Sequence, residues 1–131
     1  MTGLDTNVLV RFFAMDHPVQ SYRARTVMSS LSATDPGWVG IVTILELVWV
    51  MKSAMRLDRT QIANAIDSLL AGDAIVVERA EMVEKALRLY RRGKAEFADC
   101  MIASSALAAG CTKTVTFDRI AARDAGMELI P

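Results

Sequence analysis

Residues 4–12, LDTNVLVRF, decide how the rest of the chain is read. Leu4 ends a short segment of small and apolar residues, and the run from Thr6 has the look of a helix. Asp5 therefore stands where a short strand hands over to a helix. A carboxylate at such a junction has two uses. It can accept a backbone N–H as a helix cap, or it can belong to a metal site.

The same alternation continues outward from this stretch. GWVGIV (37–42), AIVVE (74–78), KTVTFD (113–118) and MELI (127–130) read as strands bounded by turn residues. Between them, TNVLVRFFA (6–14) reads as a brief helix and PVQSYRARTVMSSLSA (18–33) as an amphipathic one. TILELVWVMKSAM (43–55), RLDRTQIANAIDSLLAG (56–72), AEFADCMIASSALAAG (95–110) and RIAARDAG (119–126) read as further helices. RAEMVEKALRLYRRG (79–93) carries Met82, Val83, Ala86, Leu87 and Tyr90 at the spacing of one helical face. Short apolar strands alternating with helices indicate an α/β protein with a parallel sheet covered on both faces. In such a sheet the ligand site lies beyond the carboxyl ends of the strands. Asp5 and Asp118 should then leave it at the same edge.

Composition narrows the chemistry. A chain of 131 residues suits one domain. Lys plus Arg and Asp plus Glu both total 15, so attraction to nucleic acid must come from a local patch. The apolar fraction, 53%, is above the usual range of about 45–50%, and eight Met add adaptable apolar surface, which suits an oligomer or a docked partner. No apolar stretch approaches the roughly 20 residues of a membrane helix, and no basic leader precedes one, so the expected location is the cytoplasm. Cys100 and Cys111 form no paired motif and read as small core residues. His17 is the one histidine, which removes any mechanism that needs two imidazoles.

Acid and base chemistry must then fall to carboxylates or metal, and four acids occupy unusual places. Asp5 and Asp118 follow strands, where each could be a helix cap. Glu46 closes T-I-L-E (43–46), which has the form of a capping box, yet Ile44, Leu45, Leu47, Val48, Trp49 and Val50 make this helix apolar almost all round and imply burial. Asp99 lies past the expected helix start among Phe97, Ala98, Cys100, Met101 and Ile102. Its bland alternative is a salt bridge to Lys94 or Arg92. Four acids gathered without four basic partners would repel one another unless a cation neutralised them, and all-oxygen ligation suits Mg²⁺ or Mn²⁺.

LDTN, the helical Glu of TILEL, FADCMIA and TFDR, in this order and at these separations, resemble the PIN-domain ribonucleases over nearly the whole chain. The small size resembles the toxin of a VapC-type toxin–antitoxin pair. The first strand departs from the family in carrying Thr2 and Gly3 in place of bulkier apolar residues, which bears on its length and not on the site. The resemblance implies a single PIN domain over residues 1–131, built as a three-layer α/β/α sandwich with a central, mostly parallel sheet. It implies an endoribonuclease using Mg²⁺ or Mn²⁺, with Asp5, Glu46, Asp99 and Asp118 as catalytic and metal-binding residues. Thr6, Asn7, Glu96 and Thr116 take supporting places. It further implies an RNA substrate, a homodimer and a VapB-type antitoxin.

Arg88, Arg91, Arg92 and Lys94 are candidates for phosphate contacts, against the alternative of a solvated helix face. Phe12, Phe13, Trp49, Met51 and Met55 exceed what one helix face against a sheet would use, so they are candidates for a partner surface. Competing functions are a PIN nuclease with a non-toxin role in RNA processing, a non-catalytic PIN-like binding module and a phosphoacceptor receiver domain. The receiver needs an Asp closing its central strand and a late Lys; AIVVE ends in Glu78 and no Lys follows TFD.

Overall fold

The computed structural model describes all 131 residues. The chain divides into two compact units, Met1–Glu78 and Arg79–Pro131. In the first, β1 (Thr2–Gly3), α1 (Thr6–Ala14), α2 (Pro18–Ser30), β2 (Gly37–Val39), α3 (Ile41–Ser53), α4 (Arg59–Ala71) and β3 (Ile75–Val77) follow one another. The three strands form a parallel sheet in the order β1-β2-β3, pairing Thr2 with Gly37 and Val39 with Val77. Gly37 lets the central strand pack, because a Cβ there would lie 2.8 Å from methyl carbons of both Leu4 and Leu31. Leu9, Val39, Ile44, Leu47, Met51, Ile62 and Ile66 are fully buried in this unit.

The second unit holds α5 (Ala80–Arg92), α6 (Phe97–Ala108), β4 (Val115–Thr116), α7 (Arg119–Asp124) and β5 (Glu128–Leu129). β4 and β5 pair in parallel as a two-stranded sheet. The five apolar positions expected on α5 are all buried. α5 packs on α6, and Tyr90 meets Phe97 edge to face with ring centroids 5.5 Å apart. The α/β class with parallel strands is thus present. No helix is long and apolar enough to cross a membrane.

Several local expectations are corrected. The strand expected over GWVGIV stops at Val39, and Ile41 already opens α3, so T-I-L-E is not a capping box. The α3 terminus is held instead by Glu78, whose Oε1 accepts the Ile41 N–H at 2.9 Å. Nor is α3 buried all round: Ile44, Leu47, Val48 and Met51 face the core, while Val42 and Trp49 are exposed. α2 is not the amphipathic helix expected, since it buries only Ser21 and Ala24 and leaves Val19, Tyr22 and Val27 exposed. Its small residues lie inward where it packs on α1. His17 caps this helix, Nδ1 accepting the Gln20 N–H at 3.0 Å, with Pro18 at the first helical position. Cys100 is core as expected, but Cys111 is exposed.

Candidate active site

In the first unit, β1 delivers Asp5 to the start of α1. The Leu4 N–H donates to the Trp38 carbonyl at 2.9 Å, so the pairing with β2 runs up to the residue before the acid. Asp5 then caps α1, its Oδ1 accepting the Thr6 N–H at 2.7 Å. The cap is real, and it engages one carboxylate oxygen. Glu46, in the second turn of α3, is exposed, not buried as its apolar neighbours implied. Asp5, Thr6, Asn7 and Glu46 line one cavity of about 390 Å³ that also reaches Trp49. Thr6 is itself buried, and its backbone orients the Asp5 carboxylate.

In the second unit, α6 begins at Phe97 rather than at Ala95, which puts Asp99 in its first turn. The sequence alone placed Asp99 past the helix start; in the structure an acid here interacts favourably with the amino end of the helix. The salt-bridge alternative fails, because Asp99 pairs with neither Lys94 nor Arg92. Burial, then the charge of Asp118, then that of Glu96 push the Asp99 carboxyl above its ordinary range. Asp118 caps α7, Oδ1 accepting the Ile120 and Ala121 N–H groups at 2.8 and 3.0 Å. Its own N–H donates to Thr116 Oγ1 at 3.0 Å, which gives Thr116 a concrete part in positioning this acid. Glu96 precedes α6 without capping it through its side chain.

The carboxylates suit a hard divalent cation in their chemistry. All are oxygen donors, and the repulsion that raises the proton affinity of Asp99 is what a cation at Asp99 and Asp118 would relieve. Within neither unit, however, do three or more Asp, Glu, His or Cys side chains gather as a metal-binding group. Asp5 and Glu46 share a cavity in the first unit, and in the second the charges of Asp118 and Glu96 act on Asp99.

Arg88, Arg91, Arg92 and Lys94 are all exposed. The first three line a cavity of about 730 Å³ in the second unit together with Lys85 and Lys113, which the sequence reading missed. Lys85 had a legible signal, standing three residues before Arg88 on one helix; Lys113 had none. Lys94 is not part of that cavity. Its N–H donates to Asp124 Oδ2 at 2.8 Å, and Asp124, bonded first by the Arg123 side chain and then by this N–H, is held down to about 2. Of the expected partner surface, Trp49 is 69% exposed, Phe12 and Phe13 are half-buried and stack edge to face on each other, and Met55 is half-buried. Met51 has no exposed surface and must be removed from that set.

Residues 4–126 match the family model described as the PIN domain. The chain is also 24% identical over 119 residues to the VapC ribonuclease of Aquifex aeolicus (strain VF5), an alignment that covers 91% of this chain and 88% of that protein.

Proposed function

The chain belongs to the PIN-domain family, and from that premise we propose that it is a metal-dependent endoribonuclease, the toxin of a VapBC-type toxin–antitoxin pair, with residues 1–131 as one PIN domain. The observation that carries the proposal is Asp99: a partly buried acid with acidic neighbours and no ion-pair partner, a poor choice for stability alone.

Asp5, Glu46, Asp99 and Asp118 are the residues that would hold Mg²⁺ or Mn²⁺. When bound, such an ion supplies charge neutralisation at the phosphodiester and a more acidic water. The chain's own residues prepare for this. Backbone N–H groups hold one oxygen of each capping acid, that of Thr6 at Asp5 Oδ1 and those of Ile120 and Ala121 at Asp118 Oδ1, leaving the other oxygen of each for the ligand. Thr116 Oγ1 accepts the Asp118 backbone N–H and so positions that residue. Asn7, on the first turn of α1, lines the Asp5–Glu46 cavity and orients water or substrate there. Glu96 adds negative charge beside Asp99 and so strengthens cation binding. Arg88, Arg91, Arg92 and Lys94 contact RNA phosphates. The enzyme acts in the cytoplasm, as a homodimer silenced by a VapB-type antitoxin that covers Trp49, Phe12, Phe13 and Met55.

The test is direct. Purified protein should cleave RNA internally in Mg²⁺ or Mn²⁺, lose that activity in EDTA and regain it when the metal is restored. Cleavage that persists in excess chelator overturns the metal-dependent mechanism.

A further inference from the structure

We propose that the second unit carries a groove, distinct from its acidic side chains, that binds single-stranded RNA by its phosphate backbone. RNA as the occupant rests on the ribonuclease reading above; the groove itself does not.

The groove runs between α5, α6 and the 111–114 segment, with a volume of about 730 Å³. Five cations line it, Lys85, Arg88, Arg91, Arg92 and Lys113, and no carboxylate does. Lys85, Arg88 and Arg92 follow one another at i, i+3 and i+7, which places them along one face of α5. None of these three forms an ion pair in the structure. Lys113 bonds Glu128 at 3.1 Å, but both side chains are more than half exposed, so the pair is weak and a phosphate can displace it. Like charges aligned on one helix face repel, and an anion laid along them removes that repulsion.

The walls choose among anions. Leu89, Ala103, Leu107 and Ala125 give the groove an apolar floor, and Leu107 is 65% exposed on it. A duplex presents phosphates to the outside and would leave this floor unmatched. A single strand offers phosphates to the rim and base faces to the floor. Arginine predominates among the cations, and a guanidinium both forks onto phosphate oxygens and stacks on bases, whereas a purely electrostatic site has no need of it. An acidic peptide would satisfy the charge but would leave the stacking capacity of the arginines unused.

The experiment reads binding without catalysis. A short fluorescein-labelled 2′-O-methyl oligoribonucleotide is titrated with the full-length protein in EDTA, by anisotropy, across a range of salt. Three phosphate contacts on a single strand predict a slope of log K against log salt of about −2. Lys85→Ala, Arg88→Ala and Arg92→Ala combined should weaken binding about tenfold or more and flatten that slope. Arg88→Glu alone should weaken it clearly, and Arg25→Ala, on an exposed face of α2, should not. Cys111 supplies a second readout: it lines the groove and is exposed, whereas Cys100 is buried, so maleimide labels Cys111 and bound oligonucleotide should protect it. Unchanged affinity in the triple variant together with an unprotected Cys111 overturns the groove, even if the protein cleaves RNA. Displacement of the oligonucleotide by a stoichiometric poly-glutamate peptide overturns the choice of RNA over protein. Protection of Cys111 in a protein that never cleaves RNA in Mg²⁺ would instead sink the nuclease assignment and leave the groove standing.

Discussion

Asp99 is an acid whose surroundings work against its charge. Burial, Asp118 and Glu96 all raise its proton affinity, so the folded protein binds that proton more tightly than the unfolded chain does. The sign follows: stability from this group is present below the ordinary value of 3.8 and is lost as pH rises through the raised folded value. At neutral pH the ionised Asp99 therefore destabilises the metal-free protein. Asp99→Asn should raise the metal-free melting temperature by about 1–2 °C at pH 7, the scale of a relieved surface repulsion, with the gain vanishing below pH 3.8. The same variant should abolish RNA cleavage, and Mn²⁺ should raise the melting temperature of the parent protein only. A variant that melts lower at pH 7 and still cuts RNA would show Asp99 to be structural. Asp5 and Asp118 differ from it, because both also cap helices. Their replacement by Asn keeps a capping oxygen, whereas Ala costs about 1 kcal/mol in addition to activity.

At the scale of elements, the start of α3 depends on a residue distant in sequence. Gly40 offers no side-chain cap, and the Ile41 N–H is taken by Glu78 at the end of β3. Glu78→Ala should lower stability by about 0.5–2 kcal/mol in chemical denaturation, as a lost N-terminal cap does, while Glu78→Gln should cost less because its amide oxygen still accepts. No loss in the Ala variant would mean that water replaces the carboxylate there. The expected T-I-L-E box went wrong for this reason: a local capping pattern was legible in the sequence, but a cap brought in by a neighbouring strand is a tertiary event. α5 was legible because one apolar face opposes a charged one, whereas α3 and α6 are apolar on too many positions for periodicity to say which face turns inward. The true start of α6, and with it the place of Asp99 in a first turn, was hidden for the same reason.

For the whole molecule, the outstanding surface feature is α3, which buries Met51 completely and leaves Trp49 69% exposed and Val42 79% exposed. Large apolar side chains presented by one helix are what a protein partner uses as anchors. Trp49→Lys should leave the isolated protein folded, and should weaken inhibition by the proposed VapB-type antitoxin at least tenfold in a cleavage-inhibition titration normalised to the variant's own uninhibited rate. Equal inhibition of the variant would remove α3 from the antitoxin interface. Light scattering of the free protein should report a dimer; a monodisperse monomer would count against the VapC-type assembly.

By itself the sequence determined the class of fold and the identity of the candidate acids. Alternating short apolar runs and helices allow few arrangements other than parallel strands with helical connections, and the four acids stand at positions that chain order alone marks out. Tertiary structure decided which helix faces are buried, because facing is set by the packing of neighbours and not by local pattern. It put Met51 inside and Trp49 outside on one helix, paired Thr116 with Asp118, and surrounded Asp99 with acids instead of a lysine. It also assembled the cationic groove, since Lys113 meets the α5 cations only when the chain after α6 folds back beside them, and no spacing in the sequence encodes that approach.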